Sequence, residues 1–66
     1  MNVNKLKGKI VESGKNVEKI AEEIGIDRGT FYRKLNDSDK FTIKDIKNIS
    51  VALNLCHQDM IEIFLS

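Results

Sequence analysis

Apolar residues fall along this chain in five short runs, each spaced for a helix. Val3, Leu6 and Ile10 recur at three and four residues, which stacks them on one face of a first helix that Gly14 ends. Val17, Ile20, Ala21 and Ile24 repeat the pattern, with Asn16 placed as N-cap and Glu18 in the first turn, where the helix dipole favours an anion. Gly25 stops this second helix, since glycine takes the left-handed conformation that reverses a helix end, and Ile26 folds back onto it. Asp27 then caps a third helix carrying Thr30, Phe31, Lys34 and Leu35, and Asn36-Asp37-Ser38-Asp39 reads as a loop. Thr42 and Asp45 approximate a capping box for a fourth helix whose apolar stripe is Ile43, Ile46, Ile49 and Leu53. Asn54 is its left-handed terminal residue, with Leu55 folding back over the end. A fifth helix, about Gln58 to Phe64, brings Met60, Ile61 and Phe64 to the core, although Cys56 is a poor cap. No strand-like alternation, repeat or proline interrupts the series, so the fold class is all-α.

Size and composition narrow the function. At 66 residues the chain is a single domain, 1–66, of the size that buries only about 60% of its unfolded surface. Apolar residues make up 41% and charged residues 32%, a globular balance, and no apolar run approaches the roughly 18 residues of a membrane span. The opening MNVNKLKGKI has lysines but no apolar core or small-residue cleavage site, so a cytoplasmic protein without a secretion signal is expected. One cysteine, Cys56, cannot pair internally, and with one histidine beside it no structural zinc site of about four ligands can form; no metal or cofactor is expected. Cys56 and His57 are adjacent, do not face each other on a helix and have no visible third group, so no enzyme is expected.

The net charge of +1 hides an alternation of sign along the chain. Lys5, Lys7, Lys9 and Lys15 oppose Glu12 in residues 1–15, whereas Glu18, Glu22, Glu23 and Asp27 oppose Lys19 in residues 16–27. Arg28, Arg33, Lys34 and Lys40 outnumber Asp37 and Asp39 after that, Lys44 and Lys47 outnumber Asp45, and Asp59 and Glu62 make the end acidic. A polyanionic partner requires the fold to gather the positive segments on one face.

Two short helices joined by a turn of about three or four residues form a helix-turn-helix, whose second helix lies in the DNA major groove while the first crosses the backbone. Ala21 lets helices two and three approach, Gly25 makes the turn, Ile20, Ile24 and Ile26 fill beneath, and Phe31 anchors helix three. Arg28, Gly29, Tyr32 and Arg33 then point outward, towards a groove.

The stretch VEKIAEEIGIDRGTFYRKL resembles the phage Cro/repressor type of helix-turn-helix DNA-binding protein, in its small prophage form. In that family the small residue, the glycine, the following apolar residue and the buried residue of the third helix occupy the positions of Ala21, Gly25, Ile26 and Phe31, and the flanking helices look like the rest of the fold. The resemblance implies a five-helix lambda-repressor-like domain whose bases are met by Arg28, Gly29, Tyr32 and Arg33 and whose phosphates lie near Asn16, Val17, Asn36 and Lys40. Two departures stand out. Val17 replaces the glutamine common at the start of helix two and offers a phosphate only its backbone N–H. Gly29 costs about 1 kcal/mol of helix propensity but leaves room for a thymine methyl or the sugar-phosphate wall.

Other readings stand beside these. Arg28 and Arg33 suit guanine O6 and N7, with phosphate contact the alternative; Tyr32 packs on a sugar or thymine, or caps the rim beside Phe31. Lys34 meets a phosphate or pairs with an acid in the following loop, and Lys5, Lys7 and Lys9 form a solvated face. Ile61, Ile63, Phe64 and Leu65 exceed what one short helix buries and suggest a dimer interface. The expected function is a sequence-specific transcriptional regulator, a prophage or mobile-element repressor that binds a palindrome of double-stranded DNA as a homodimer, with neither membrane nor small-molecule ligand. The alternatives are an antitoxin-like or accessory factor, or a protein-interaction module using the acidic helix two and the apolar C-terminus.

Overall fold

Asparagine starts the first two helices in the computed structural model of this protein, which describes residues 1–65. The Asn2 side chain accepts from the Lys5 N–H at 3.0 Å at the head of α1 (Val3–Glu12), and Asn16 accepts from the Lys19 N–H at 2.8 Å at the head of α2 (Val17–Ile24). Asp27 caps α3 (Arg28–Asn36), and Thr42 and Asp45 form a reciprocal capping box on α4 (Ile43–Ala52). Each cap satisfies a backbone donor that has no partner within its own helix. Before α5 (His57–Phe64) the Cys56 N–H donates to the Asp59 carboxylate at 3.3 Å. A single 3-10 turn, Ser38–Lys40, interrupts the loop expected after α3, and no strand occurs among the described residues. None of the helices is long and apolar enough to cross a membrane.

Two helix ends are closed by the same device. Gly25 is left-handed, φ 80°, and the Ile26 N–H reaches back to the Ala21 carbonyl at 3.0 Å. Asn54 is also left-handed, φ 51°, and the Leu55 N–H reaches the Ser50 carbonyl at 2.9 Å. In both, the residue after the reversal is turned inward as an apolar plug.

Every helix contributes to one core of Leu6, Ile10, Ile20, Ala21, Phe31, Leu35, Ile49 and Ile63. Phe31 is fully buried and meets the Phe41 ring edge-on, centroids 5.9 Å apart. α2 packs on both α3 and α4, and Ala21 is its small residue in the core.

Two expected stripes are rotated. Ile43 is 86% exposed, whereas Asp45 is only 8% exposed. Ile43 and Ile49 lie six residues apart, roughly 120° around the helix, so with Ile49 at the centre of the core Ile43 faces out. On α5 the fully buried residue is Ile63, while Ile61 is exposed and Phe64 only partly buried against the core. This side of α5 faces α1: Lys5 pairs with Glu62 at 2.7 Å, Lys9 with Asp59 at 3.2 Å, and the Asn2 N–H donates to the Ile63 carbonyl at 2.6 Å. Lys5 and Lys9 are therefore partly buried ion-pair partners, not a solvated face.

Candidate nucleic-acid interface

Phe31 and Leu35 set the rotation of α3 by entering the core. At 100° per residue, Arg28, Gly29, Tyr32, Arg33 and Asn36 then share an arc of roughly 140° that contains neither Phe31 nor Leu35. Arg28, Tyr32, Arg33 and Asn36 are exposed, Tyr32 by 48%, and Gly29 is partly so. The four outward positions read from the sequence thus lie together, with Asn36 continuing them along the helix.

Their guanidinium groups are differently held. Arg28 reaches Glu18, in the first turn of α2, at 3.0 Å; both side chains are well exposed, so this pair contributes about 0 to 1 kcal/mol at most. Arg33 donates to the Thr30 hydroxyl at 3.0 Å, and that hydroxyl donates to Asp27 at 2.5 Å. The Thr30 hydroxyl first, and then its N–H, hold the Asp27 carboxyl below its ordinary pKa, so Asp27 is an anion.

Beside this face runs a groove of about 430 Å³ lined by Thr30, Arg33, Lys34, Asp37 and Lys40. Lys34 lies along it: the ammonium bonds the Asp45 carboxylate at the head of α4, and not an acid of the loop that follows α3. Burial alone would raise the Asp45 pKa, but the Lys34 and Thr42 hydrogen bonds outweigh it and hold the carboxyl below its ordinary value. Arg33 and Lys40 supply the groove's other positive charges, and Lys40 is exposed.

The fold redistributes the charge seen along the chain. Lys5 and Lys9 are neutralised by α5, and Lys15 by Glu23 at 2.9 Å. Residues 28–47 keep six cations, Arg28, Arg33, Lys34, Lys40, Lys44 and Lys47, against the three acids Asp37, Asp39 and Asp45. Asn16 and Val17 head α2, where the Asn16 oxygen is already used as a cap and Val17 packs partly against the core. Of the apolar tail, Ile63 is buried and cannot form an interface, Phe64 leans on the core, and Ile61 and Leu65 are exposed by 39% and 78%.

Asp27 and Thr30 were absent from the expected site, although the steps from Asp27 to Thr30 and from Thr30 to Arg33, three residues each, are ones at which helix side chains meet. Lys34 with Asp45 had no such signal, being eleven residues apart across the 3-10 turn. Compared with known protein families, characterised proteins and solved structures, the chain finds no match.

Proposed function

We propose that this protein is a sequence-specific double-stranded DNA-binding regulator of the Cro/repressor type, with α2 and α3 as its helix-turn-helix. The observation that carries this reading is the outward face of α3: Arg28, Gly29, Tyr32, Arg33 and Asn36 side by side, on a helix anchored by Phe31 and joined to α2 through the reversal at Gly25. Such a helix fits a major groove about 12 Å wide. Arg28 and Arg33 offer the donors that guanine accepts, Tyr32 a ring for a sugar or a thymine methyl, and Lys40 with the head of α2 the contacts to phosphate. The positive balance of residues 28–47 favours a polyanion on this side of the molecule. A second copy, docked through Ile61 and Leu65, sets two such helices one turn of DNA apart, about 34 Å, and makes the operator a palindrome.

Selection of random duplexes by the purified protein at physiological salt tests this. Enrichment of a palindrome, with affinity falling as salt rises at a slope of about −0.9 per phosphate engaged, supports the reading. No enrichment, and binding indifferent to salt, moves the function to a protein partner.

A further inference from the structure

We infer that Asp27 and Thr30 are positioning residues that hold the Arg33 guanidinium over Gly29, where it reads a guanine. This rests on the DNA-binding reading above and names the residue and the base that dominate its specificity.

The three side chains form a chain with a fixed direction. A hydroxyl carries one proton, and Thr30 gives its proton to Asp27 Oδ1 at 2.5 Å. Its lone pairs are thereby left for Arg33, whose terminal nitrogen donates to Thr30 Oγ1 at 3.0 Å. Asp27 is itself anchored, because its other oxygen accepts the Thr30 N–H at 3.1 Å as the cap of α3. Charges at both ends, guanidinium and carboxylate, strengthen each link.

Glycine supplies the space. A Cβ on Gly29 would stand 3.1 Å from Asp27 Oδ2, a tight approach that would push the carboxylate aside, and 3.6 Å from an Arg33 nitrogen, an ordinary contact, so the guanidinium lies directly beside the glycine. The Arg33 side chain lies back along α3, the direction in which long helix side chains lean, and delivers its charge about one turn, roughly 6 Å, towards the N-terminus of its own Cα. The N-terminal end of a recognition helix is the part that contacts base edges. Thr30 uses one of the five guanidinium donors, and the rest retain the two-pronged pattern that meets guanine O6 and N7. Arg28 differs, since its guanidinium is drawn to Glu18 on α2. Asp27, Thr30 and Arg33 therefore act as one reading unit, ordered before any DNA arrives.

The test compares wild type, Thr30→Val, Thr30→Ser and Arg33→Ala by duplex selection, and follows the Arg33 Nε–H of the free protein by NMR. The wild type is expected to enrich a site with one strongly preferred guanine, and Arg33→Ala to lose that preference. Thr30→Val keeps the shape but not the hydroxyl; it should lower the guanine preference at that position about tenfold or more, with salt slope and affinity for unrelated duplex unchanged in a protein that still folds. Thr30→Ser should restore it, and the Arg33 side chain, ordered in wild type, should become mobile only in Thr30→Val. An unaltered guanine preference in Thr30→Val or Arg33→Ala, or an Arg33 equally mobile in wild type and Thr30→Val, overturns the inference while leaving DNA binding intact. A wild type that enriches no sequence overturns the DNA reading and this inference together.

Discussion

The Lys34 ammonium donates to Asp45 Oδ2, tying the second turn of α3 to the head of α4 with side chains only 17% and 12% exposed. Asp45 also accepts from the Thr42 N–H at 3.1 Å, so one carboxylate serves a tertiary ion pair and a helix cap together. The two partners are consequently unequal. Asp45→Ala removes pair and cap and should cost about 2 to 4 kcal/mol, whereas Lys34→Met leaves Asp45 its Thr42 bonds and should cost about 1 kcal/mol. The double variant should lose less than the sum, by about 0.5 kcal/mol or more, in urea denaturation. Strict additivity would mean that the two groups do not sense each other.

That pair also marks where the sequence stops being readable. Caps and reversals are local: Asn16, Asp27, Thr42, Gly25 and Asn54 each act within about five residues, and all five stand where their types and spacing put them. The outward face of α3 was legible for a related reason, since Phe31 and Leu35 leave only one rotation of that helix that buries both. Ile43 and Ile63 were misplaced because hydropathy favours any isoleucine or phenylalanine alike, and the choice among them is made by distant partners. A paired carboxylate, Asp45, took the inward place on α4, and on α5 the inward side is the one that meets the lysines of α1.

Stability should fall in acid through this same carboxylate. The folded Asp45 pKa lies below the unfolded value of about 3.9, so its contribution is complete above that value and is lost as pH drops through the folded pKa. Melting temperature is expected to decline from about pH 4.5 downward in wild type, and more shallowly in Asp45→Asn. Parallel profiles for the two proteins would assign the acid transition to other carboxylates, such as Asp59 and Glu62, whose pKa values are likewise lowered.

The left-handed residues Gly25 and Asn54 predict opposite signs. Gly25 has φ 80°, so Gly25→Ala should destabilise by about 1 kcal/mol although nothing lies within 4 Å of the added Cβ. Asn54, at φ 51°, bears the strain that glycine escapes, and Asn54→Gly should be neutral or stabilise by up to about 1 kcal/mol. Thermal melts of both variants check this; a loss on Asn54→Gly comparable to that of Gly25→Ala would show that the Asn54 side chain contributes more than its backbone conformation costs.

If α3 meets DNA as proposed, Glu18 competes with the duplex for Arg28. Its carboxylate holds the guanidinium at 3.0 Å and adds a negative charge beside a face proposed to meet phosphates. Glu18→Gln should therefore tighten binding to duplex, by up to about fivefold given the 0 to 1 kcal/mol of an exposed pair, with a larger gain at low salt. Weaker binding at low salt would exclude α3 from the DNA contact.

Ile61 on α5 and Leu65 just past its end, both exposed, should separate association from folding. Neither is buried, so Ile61→Ser combined with Leu65→Ser should change stability by no more than about 0.5 kcal/mol, a shift of about 2 to 4 °C in melting temperature, while a dimer seen in sedimentation dissociates. Ile63→Ser must behave otherwise: its side chain is fully enclosed, and exchanging it for a hydroxyl should cost about 2 to 5 kcal/mol, a large share of what holds a domain of this size together. The same reasoning places Phe64→Ser between them, because that ring is half-buried against the core. If the Ile61 and Leu65 exchanges leave sedimentation unchanged in a protein that dimerises, the second copy docks elsewhere, and the spacing of half-sites in the operator, not this surface, becomes the guide to its position.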